Sequence, residues 1–505
     1  MGIFQNIRNL FRRGAIAIGA KEQLNSILEH PKIAMEQAEY QRIQDSMRRY
    51  NGNSGKTSYL SSTGIKQERT QSTVNMLKKV AYEYAKIMFN EQSDISVDVE
   101  ESDWINHVFE HNDFKKNFAK YLEPGMALGG LTVRPYFDEV SKEIEFSWAL
   151  ADAFYPLQSN TNNISEGALS FRTIRTEGNK TYYYTLLEFH EWINGVYTIT
   201  NELYKSEQSE IVGARVGLSE LYGDDLQEVA KVENISRPLF TYMKTAGFNN
   251  INPYSPLGLG ICDNCKQTLD RINRVYDEFD MEIKRGKRRI AVPETLLKGS
   301  PDHETGKVKM FLDDKEDIYQ IIPGANLDDY SIKDLTFDIR TSEYVAAINH
   351  HLKTLEMETG LSNGTFTFDG SAIRSTKTAT EIVSEQSQTY QSRNMQINEV
   401  EKFIKELVIT ICELGKAYKL YSGDIPTAEQ IGIDFDDGVF IDKEAQKNFY
   451  TSLKAAGLLP GHYVLEKVLN LPEAEAIKLY KEAQTGIIEE IAKSTNEPDI
   501  DVQEE

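Results

Sequence analysis

The stretch NPYSPLGLGICDNCKQTLDRINRVYDEFDMEI, residues 252–283, decides how the chain divides. It opens turn-rich, with Ser255-Pro256 placed to serve as helix N-cap and first helical residue. It then settles into one apolar stripe, in which Cys262, Cys265, Leu269, Ile272, Tyr276, Phe279 and Ile283 step 3-4-3-4-3-4. That period predicts a single long helix over 261–286. The cysteines form a CxxC, but they fill apolar positions of the stripe and no thioredoxin-like strand precedes them. The spacing therefore predicts core packing rather than redox chemistry. The chain's three cysteines give no disulfide framework and point to a reducing compartment.

Upstream, the pattern is mixed. Residues 21–70 read as polar and helical, loosened by NGNSGKTSYLSSTG at 51–64. Residues 71–90 read as an amphipathic helix with Val74, Leu77, Val80, Ala81, Tyr84, Ile87 and Met88 on one face. A second helix is expected from Trp104 to Leu122, stopped by Pro124 and Gly125. Strands follow in LTVRPYF and EIEFSWAL, then a meander through ALSFRTIRT, TYYYTLLEFHEW and VYTITNELYKS. Asn194-Gly195 marks a hairpin, because both residues tolerate positive φ.

Downstream, the long helix ends in a basic knot, Lys284, Arg285, Lys287, Arg288 and Arg289. Cations there offset the helix dipole, and they could also meet nucleic acid or an acidic protein. A small β-rich insert is expected, with strands near RIAVP, IYQIIPG and LTFDIR. A return helix over 341–360 carries Val345, Ile348, Leu352 and Leu355. A Gly-, Ser- and Thr-rich loop, GTFTFDGSAIRSTKTATEI at 364–382, leads into a helix over 379–420, about 60 Å long at its full extent. Its second half has the stripe Ile397, Val400, Ile404, Leu407, Ile411, Leu414 and Tyr418. Its first half is polar on nearly every face and must meet water or a polar neighbour. IGIDFDDGVFID reads as two short strands around a turn, helices are expected over 443–492, and the tail is acidic and disordered in character.

Composition and motifs exclude most chemistries. A chain of 505 residues calls for more than one domain, and a net charge of -22 argues against a tight nucleic-acid grip. No apolar run is long enough to span a bilayer, so no membrane partner is expected. The basic N-terminus MGIFQNIRNLFRRGAIAIGA reads as a surface or interface helix rather than a signal peptide. The loop at 364–382 fails as a P-loop, since Lys377 comes one place late. Gly52 to Thr57 is closer, but Tyr50 holds the required first glycine. His107 and His111 lack the metalloprotease order, and adjacent His350 and His351 should point apart on a helix. From Asp434, Gly438 is out of register for a calcium loop. No catalytic residue, metal or cofactor is expected. The alternatives are a P-loop-like nucleotide-binding enzyme built on Gly52 to Thr57, or a coiled-coil scaffold or adaptor.

The order of parts resembles a portal protein of tailed double-stranded-DNA bacteriophages, of the kind in long-tailed phages of Gram-positive hosts or a related prophage. The stretches that carry the resemblance are STVNMLKKVAYEYAKIMFNE, AKYLEPGMALGGLTVRPYFD, the opening stretch, SAIRSTKTATEIVSEQSQTYQS and SLKAAGLLPGHYVLEKVLNLPEAEA. No one of them is diagnostic alone, and the ordered set covers most of residues 25–490.

The resemblance implies an α+β portal-type fold and a ring of about twelve subunits around a channel. It implies a mixed wing at 25–257 after an N-terminal segment, 1–24, and stem helices at 258–289 and 339–361. A small β-rich clip would lie at 290–338 and a tunnel loop at 362–378. A long kinked helix of the wing would follow at 379–420, a helical crown at 421–490 and a tail at 491–505. It implies a non-enzymatic conduit at a capsid vertex, assembled in the host cytoplasm and retained in the virion. Its partners would be duplex DNA, the large terminase subunit, scaffolding and major capsid proteins, and a head-tail connector. Ser362, Gly364, Gly370, Ser371, Arg374, Ser375, Lys377 and Thr378 would touch passing DNA. The basic knot would lie at the stem-clip junction, lining the channel or meeting terminase.

Overall fold

In a computed structural model, the structure describes residues 23–53, 55–60, 65–90, 93–160, 163–286, 290–293, 298–301, 308–311, 319–322, 333–334, 338–367, 387–435, 443–469 and 476–483. The chain forms two compact units, one of Met1–Arg374 with Gln391–Asp436 and one of Ser375–Tyr390 with Asp437–Glu505. The fold class is mixed α and β, as the sequence predicts.

The first unit begins with β1 (Gln23–Leu24), α1 (Gln37–Tyr50), β2 (Lys56–Leu60), β3 (Lys66–Thr70) and α2 (Met76–Met88). The expected helix over 21–70 is therefore confined to α1, and β2 and β3 form an antiparallel hairpin instead. Lys, Thr and Tyr side chains alternate there on a two-stranded ribbon exposed over most of its length, a pattern without an apolar period for sequence reading to detect. β1 also carries Leu24, fully buried, from the expected N-terminal segment into the main sheet. β4 (Asp94–Val97), α3 (Ser102–His111) and α4 (Phe114–Leu128) follow. The single helix expected from Trp104 to Leu122 is broken at Asp113, whose φ is 46°. Pro124 and Gly125 lie inside α4, which ends at Gly129 with φ 92°. A positive-φ glycine, not the proline, terminates this helix.

β5 (Gly130–Phe137) and β6 (Ile144–Leu150) pair antiparallel as predicted. β7 (Phe154–Ser159), which was not predicted, pairs with β8 (Ile164–Glu177), and β8, β9 (Lys180–Ile193) and β10 (Val196–Ser206) form the predicted meander. Asn194 and Gly195 close β9 to β10 with φ of 52° and 80°. β11 (Gly213–Val216) and β12 (Val229–Val232) complete a seven-stranded sheet of order β1-β11-β10-β9-β8-β7, with β12 also on β10. β13 (Thr241–Lys244) adds to β5.

The long helix α5 spans Lys266–Arg285. It does not start at Ser255-Pro256. There Ser255 instead accepts a bond from the Leu257 N–H at 3.3 Å and donates to Glu39 at 3.1 Å. Cys262, Cys265, Leu269 and Ile272 are buried, whereas Ile283 at the end of the predicted stripe is exposed. Between α5 and the return helix lie β14 (Ile290–Pro293), β15 (Lys298–Pro301), β16 (Val308–Phe311), β17 (Tyr319–Ile322) and β18 (Lys333–Asp334). β14 pairs parallel with β17 and antiparallel with β18, and β15 pairs with β16. Residues 335–337 of the strand expected in LTFDIR lie outside the described residues, β18 ends just before it, and the β15–β16 hairpin was not anticipated.

The return helix α6 (Thr341–Thr359) packs beside α5 and buries Ile348, Leu352 and Leu355. The long helix α7 (Ser387–Ala417) buries Val400, Ile404, Leu407, Ile411 and Leu414. Phe118 of α4 stacks on Phe403 of α7 at 5.4 Å and on Phe114 at 5.3 Å, so the aromatic core ties the first helices to α7. β19 (Ile431–Asp434) pairs with β4. In the second unit, α8 (Lys443–Ala455), α9 (Gly461–Leu469) and a helical segment at 476–483 are joined by Tyr450–Tyr463 and His462–Tyr480 ring contacts.

Candidate functional site

The Gly-, Ser- and Thr-rich loop departs from the end of α6, and the chain builds a fixed root for it. Gly360 takes φ 76° and ends the helix, its N–H bonded to the Glu356 carbonyl. A side chain at Gly360 would collide with Ser392 of α7. Tyr84 of α2 donates to the Thr359 carbonyl at 2.5 Å. Glu356 itself is fully buried, and its carboxylate accepts the N–H groups of Gly364 at 2.9 Å and Phe366 at 2.5 Å. Burial pushes its carboxyl up, and the Phe366 and Gly364 N–H groups offset only part of that rise. Thr365 folds back on the Ser362 carbonyl through its N–H at 3.2 Å and its hydroxyl at 2.6 Å. Gly364 sits at φ 89° with open space around it, so backbone conformation rather than crowding requires glycine.

Of the predicted loop residues, Ser362 and Gly364 belong to this root. Gly370, Ser371, Arg374, Ser375, Lys377 and Thr378 lie outside the described residues. The polar half of α7 meets polar neighbours within its own unit. Arg393 is buried and donates to the carbonyls of Ile87 at 2.5 Å and Phe435 at 2.8 Å. Gln396 accepts the Ala246 N–H at 2.8 Å. Glu356 was missed by sequence reading. Its signal is an acid beside the apolar stripe of α6, followed by two glycines.

In the basic knot, Lys284 pairs with Asp280 one turn back at 2.6 Å. Arg285 ends α5, and Lys287, Arg288 and Arg289 lie outside the described residues. The α5–α6 pair is fastened nearby by Phe279 stacked on Tyr344 at 5.3 Å and by Arg340 on Glu282 at 3.0 Å. His350 and His351 do not point apart as expected, since their ring centroids are 5.5 Å from each other.

The start of α5 is held by a buried ionic cluster. Arg42 of α1 pairs with Asp263, bonds Glu39 at 2.8 Å and donates to the Gly258 carbonyl at 3.0 Å. Asp263 also accepts from Ser46 and from the Gly260 N–H, each at 2.7 Å.

The other motifs find structural places. Lys56 and Thr57 lie in strand β2, which is not the geometry of a phosphate loop. His107 faces Glu143 at 3.4 Å and His111 faces Glu145 at 2.9 Å, and the Glu145 hydrogen bond raises the His111 pKa. The bond from Cys265 and burial push the Cys262 thiol well above its ordinary value, as suits a packed thiol. Among the described residues, no cluster of three or more His, Cys, Asp or Glu is placed to hold a metal ion. No described helix is long and apolar enough to cross a membrane.

The model of a family described as phage portal protein, SPP1 Gp6-like, matches residues 29–490. No curated protein matches the chain significantly. Among solved structures, a chain in the neck of an empty gene transfer agent (GTA) particle computed with C6 symmetry is 11% identical, with 91% of this chain and 98% of that chain covered and a TM-score of 0.43. A chain in the virion of the native particle is 11% identical, with the same coverage and a TM-score of 0.42. At that TM-score neither likeness bears on function.

Proposed function

The chain belongs to the SPP1 Gp6-like family of phage portal proteins, and on that premise we propose that it forms a ring-shaped channel at one capsid vertex, through which double-stranded DNA is packaged and ejected. The family match over residues 29–490 is the observation that carries the reading. About twelve copies close the ring through repeated head-to-tail contacts. The protein is a conduit and docking hub rather than the motor. Terminase docks during packaging, the head-tail connector afterwards, and scaffolding and major capsid proteins surround the ring in the assembling and mature virion.

The parts follow from that premise. Residues 25–257 with the second half of α7 form the wing, and 421–490 form the crown. The helices at 258–289 and 339–361 form the stem, and 290–338 form the clip. The antiparallel helices α5 and α6, with the short strands β14 to β18 described between them in the chain, support this division. The loop at 362–378 projects into the channel, where Arg374 and Lys377 meet phosphates. Glu356 supports that reading by fixing the first turn of the loop.

Negative-stain electron microscopy of the purified full-length protein, with its mass in solution, tests the proposal. Rings with a central hole and a mass near that of about twelve 57.5 kDa chains are expected. Elongated dimers would support a coiled-coil adaptor instead. A monomer that binds ATP, and loses it on Lys56→Ala, would support the nucleotide enzyme.

A further inference from the structure

Helix α5 carries charge differently on its two flanks. On one flank, each of three acids is taken by a cation of the same chain. Asp270 meets Arg49 at 2.6 Å, Asp277 meets Arg69 at 2.5 Å and Asp280 meets Lys284 at 2.6 Å. On the other flank, Arg271 and Arg274 are exposed and make no hydrogen bond or ion pair among the described residues. Glu278, one turn on from Arg274, is exposed and makes no ion pair with it. Across the helix pair lie exposed His350 and half-buried His351. His351 registers the uncompensated field. Burial lowers its pKa, and His350, Arg271 and Arg274 lower it further. In a chain with a net charge of -22, two exposed arginines with no carboxylate partner among the described residues form a patch suited to an anion.

Resting on the portal reading, we propose that Arg271, Arg274, His350 and His351 form a second DNA-contact belt, on the helix pair and separate from the loop, and that its ligand is the phosphate backbone of the passing duplex. Arginine suits this ligand, because its planar fork matches a phosphate with two donors. The patch is about one helical turn tall, roughly 5 Å. Duplex DNA presents about one charge per 1.7 Å of axis, so the belt faces about three phosphates at a time. His351 and the loop root at Gly360 are nine residues apart, which sets the belt about 14 Å below the root along α6. Contact at two short levels guides the duplex without holding it along its length.

The test compares full-length wild type with R271Q/R274Q and R271K/R274K. Ring mass is measured in solution, and affinity for a short random-sequence duplex is measured over a salt series. The expected result is rings of wild-type mass in all three. The glutamine variant should show weaker binding and a salt slope shallower by about two for each subunit that touches DNA, and the lysine variant should keep the wild-type slope. Rings of the glutamine variant with an unchanged salt slope would overturn the belt and leave the portal reading standing. A folded glutamine variant that fails to close rings would also overturn it, and would assign the patch to an acidic face of the adjacent copy. Wild-type protein that forms no ring and binds no DNA would overturn both readings.

Discussion

At Glu356, helix α6 gives a position beside its apolar stripe to a fully buried carboxylate. Such a charge is costly unless its oxygens are used, and here both are, one by the Gly364 N–H and one by the Phe366 N–H. Glu356→Gln keeps the shape but replaces one acceptor by an NH2 group that faces an N–H. One backbone donor is then left without its acceptor in a buried site, at a cost of about 1–3 kcal/mol. The expected outcome is a lower unfolding midpoint and faster proteolytic cleavage after Leu361, with secondary structure by circular dichroism unchanged. Unaltered cleavage would show that the loop root is held by other means. Gly360 was not singled out from sequence, and of the two only Gly364 was legible there, as a residue of the loop. The carboxylate between them in space was not, because its partners are backbone N–H groups, which carry no sequence signature.

Between elements, Arg42 links α1 to the entry of α5 across 221 residues of sequence. Arg42→Met removes one partner of a buried cluster, leaving Glu39 without its cation and Asp263 with Lys266 alone, at 3.1 Å. Breaking a buried pair in this way costs about 3–5 kcal/mol, more than a surface pair by several-fold. Thermal unfolding should fall sharply, and Arg42→Met combined with Asp263→Leu should recover part of the loss. A single variant as stable as wild type would mean that the cluster does not position α5. This cluster also shows what sequence could and could not give. Stripes of period 3-4 placed α5, α6 and α7, and the alternation around Asn194-Gly195 placed the meander, because local periodicity is set by neighbours in the chain. α5 begins at Lys266 rather than at the expected 261, and the cap offered by Ser255-Pro256 does not form, because Arg42 and Ser46, far away in sequence, hold Asp263 and the Gly258–Gly260 backbone at its entry. Asp113 broke a predicted helix and Pro124 failed to stop one for the same reason. Tertiary contacts overrode local propensity there.

For the whole chain, the dominant physical fact is charge, with 78 acidic against 56 basic residues. A protein that neutralised many phosphates would hold DNA with an affinity that falls steeply with salt. A channel must do the opposite, since DNA has to move through it. The family membership and the acidic balance are reconciled if positive charge is restricted to short levels, at Arg374 and Lys377 of the loop and at Arg271 and Arg274 of the helix pair, within walls that repel phosphate. The expected outcome is that assembled rings bind duplex DNA no more tightly than a dissociation constant of about 1 μM at physiological ionic strength, the tight limit of non-specific binding. Lowering the salt should strengthen this modestly, because few contacts release few counterions. Fluorescence anisotropy of a labelled duplex across a salt series measures both quantities. Nanomolar binding at physiological salt, or a slope that implies a dozen or more phosphate contacts, would mean that the acidic balance does not keep DNA free to slide. Charge elsewhere on the ring would then have to be responsible for the grip.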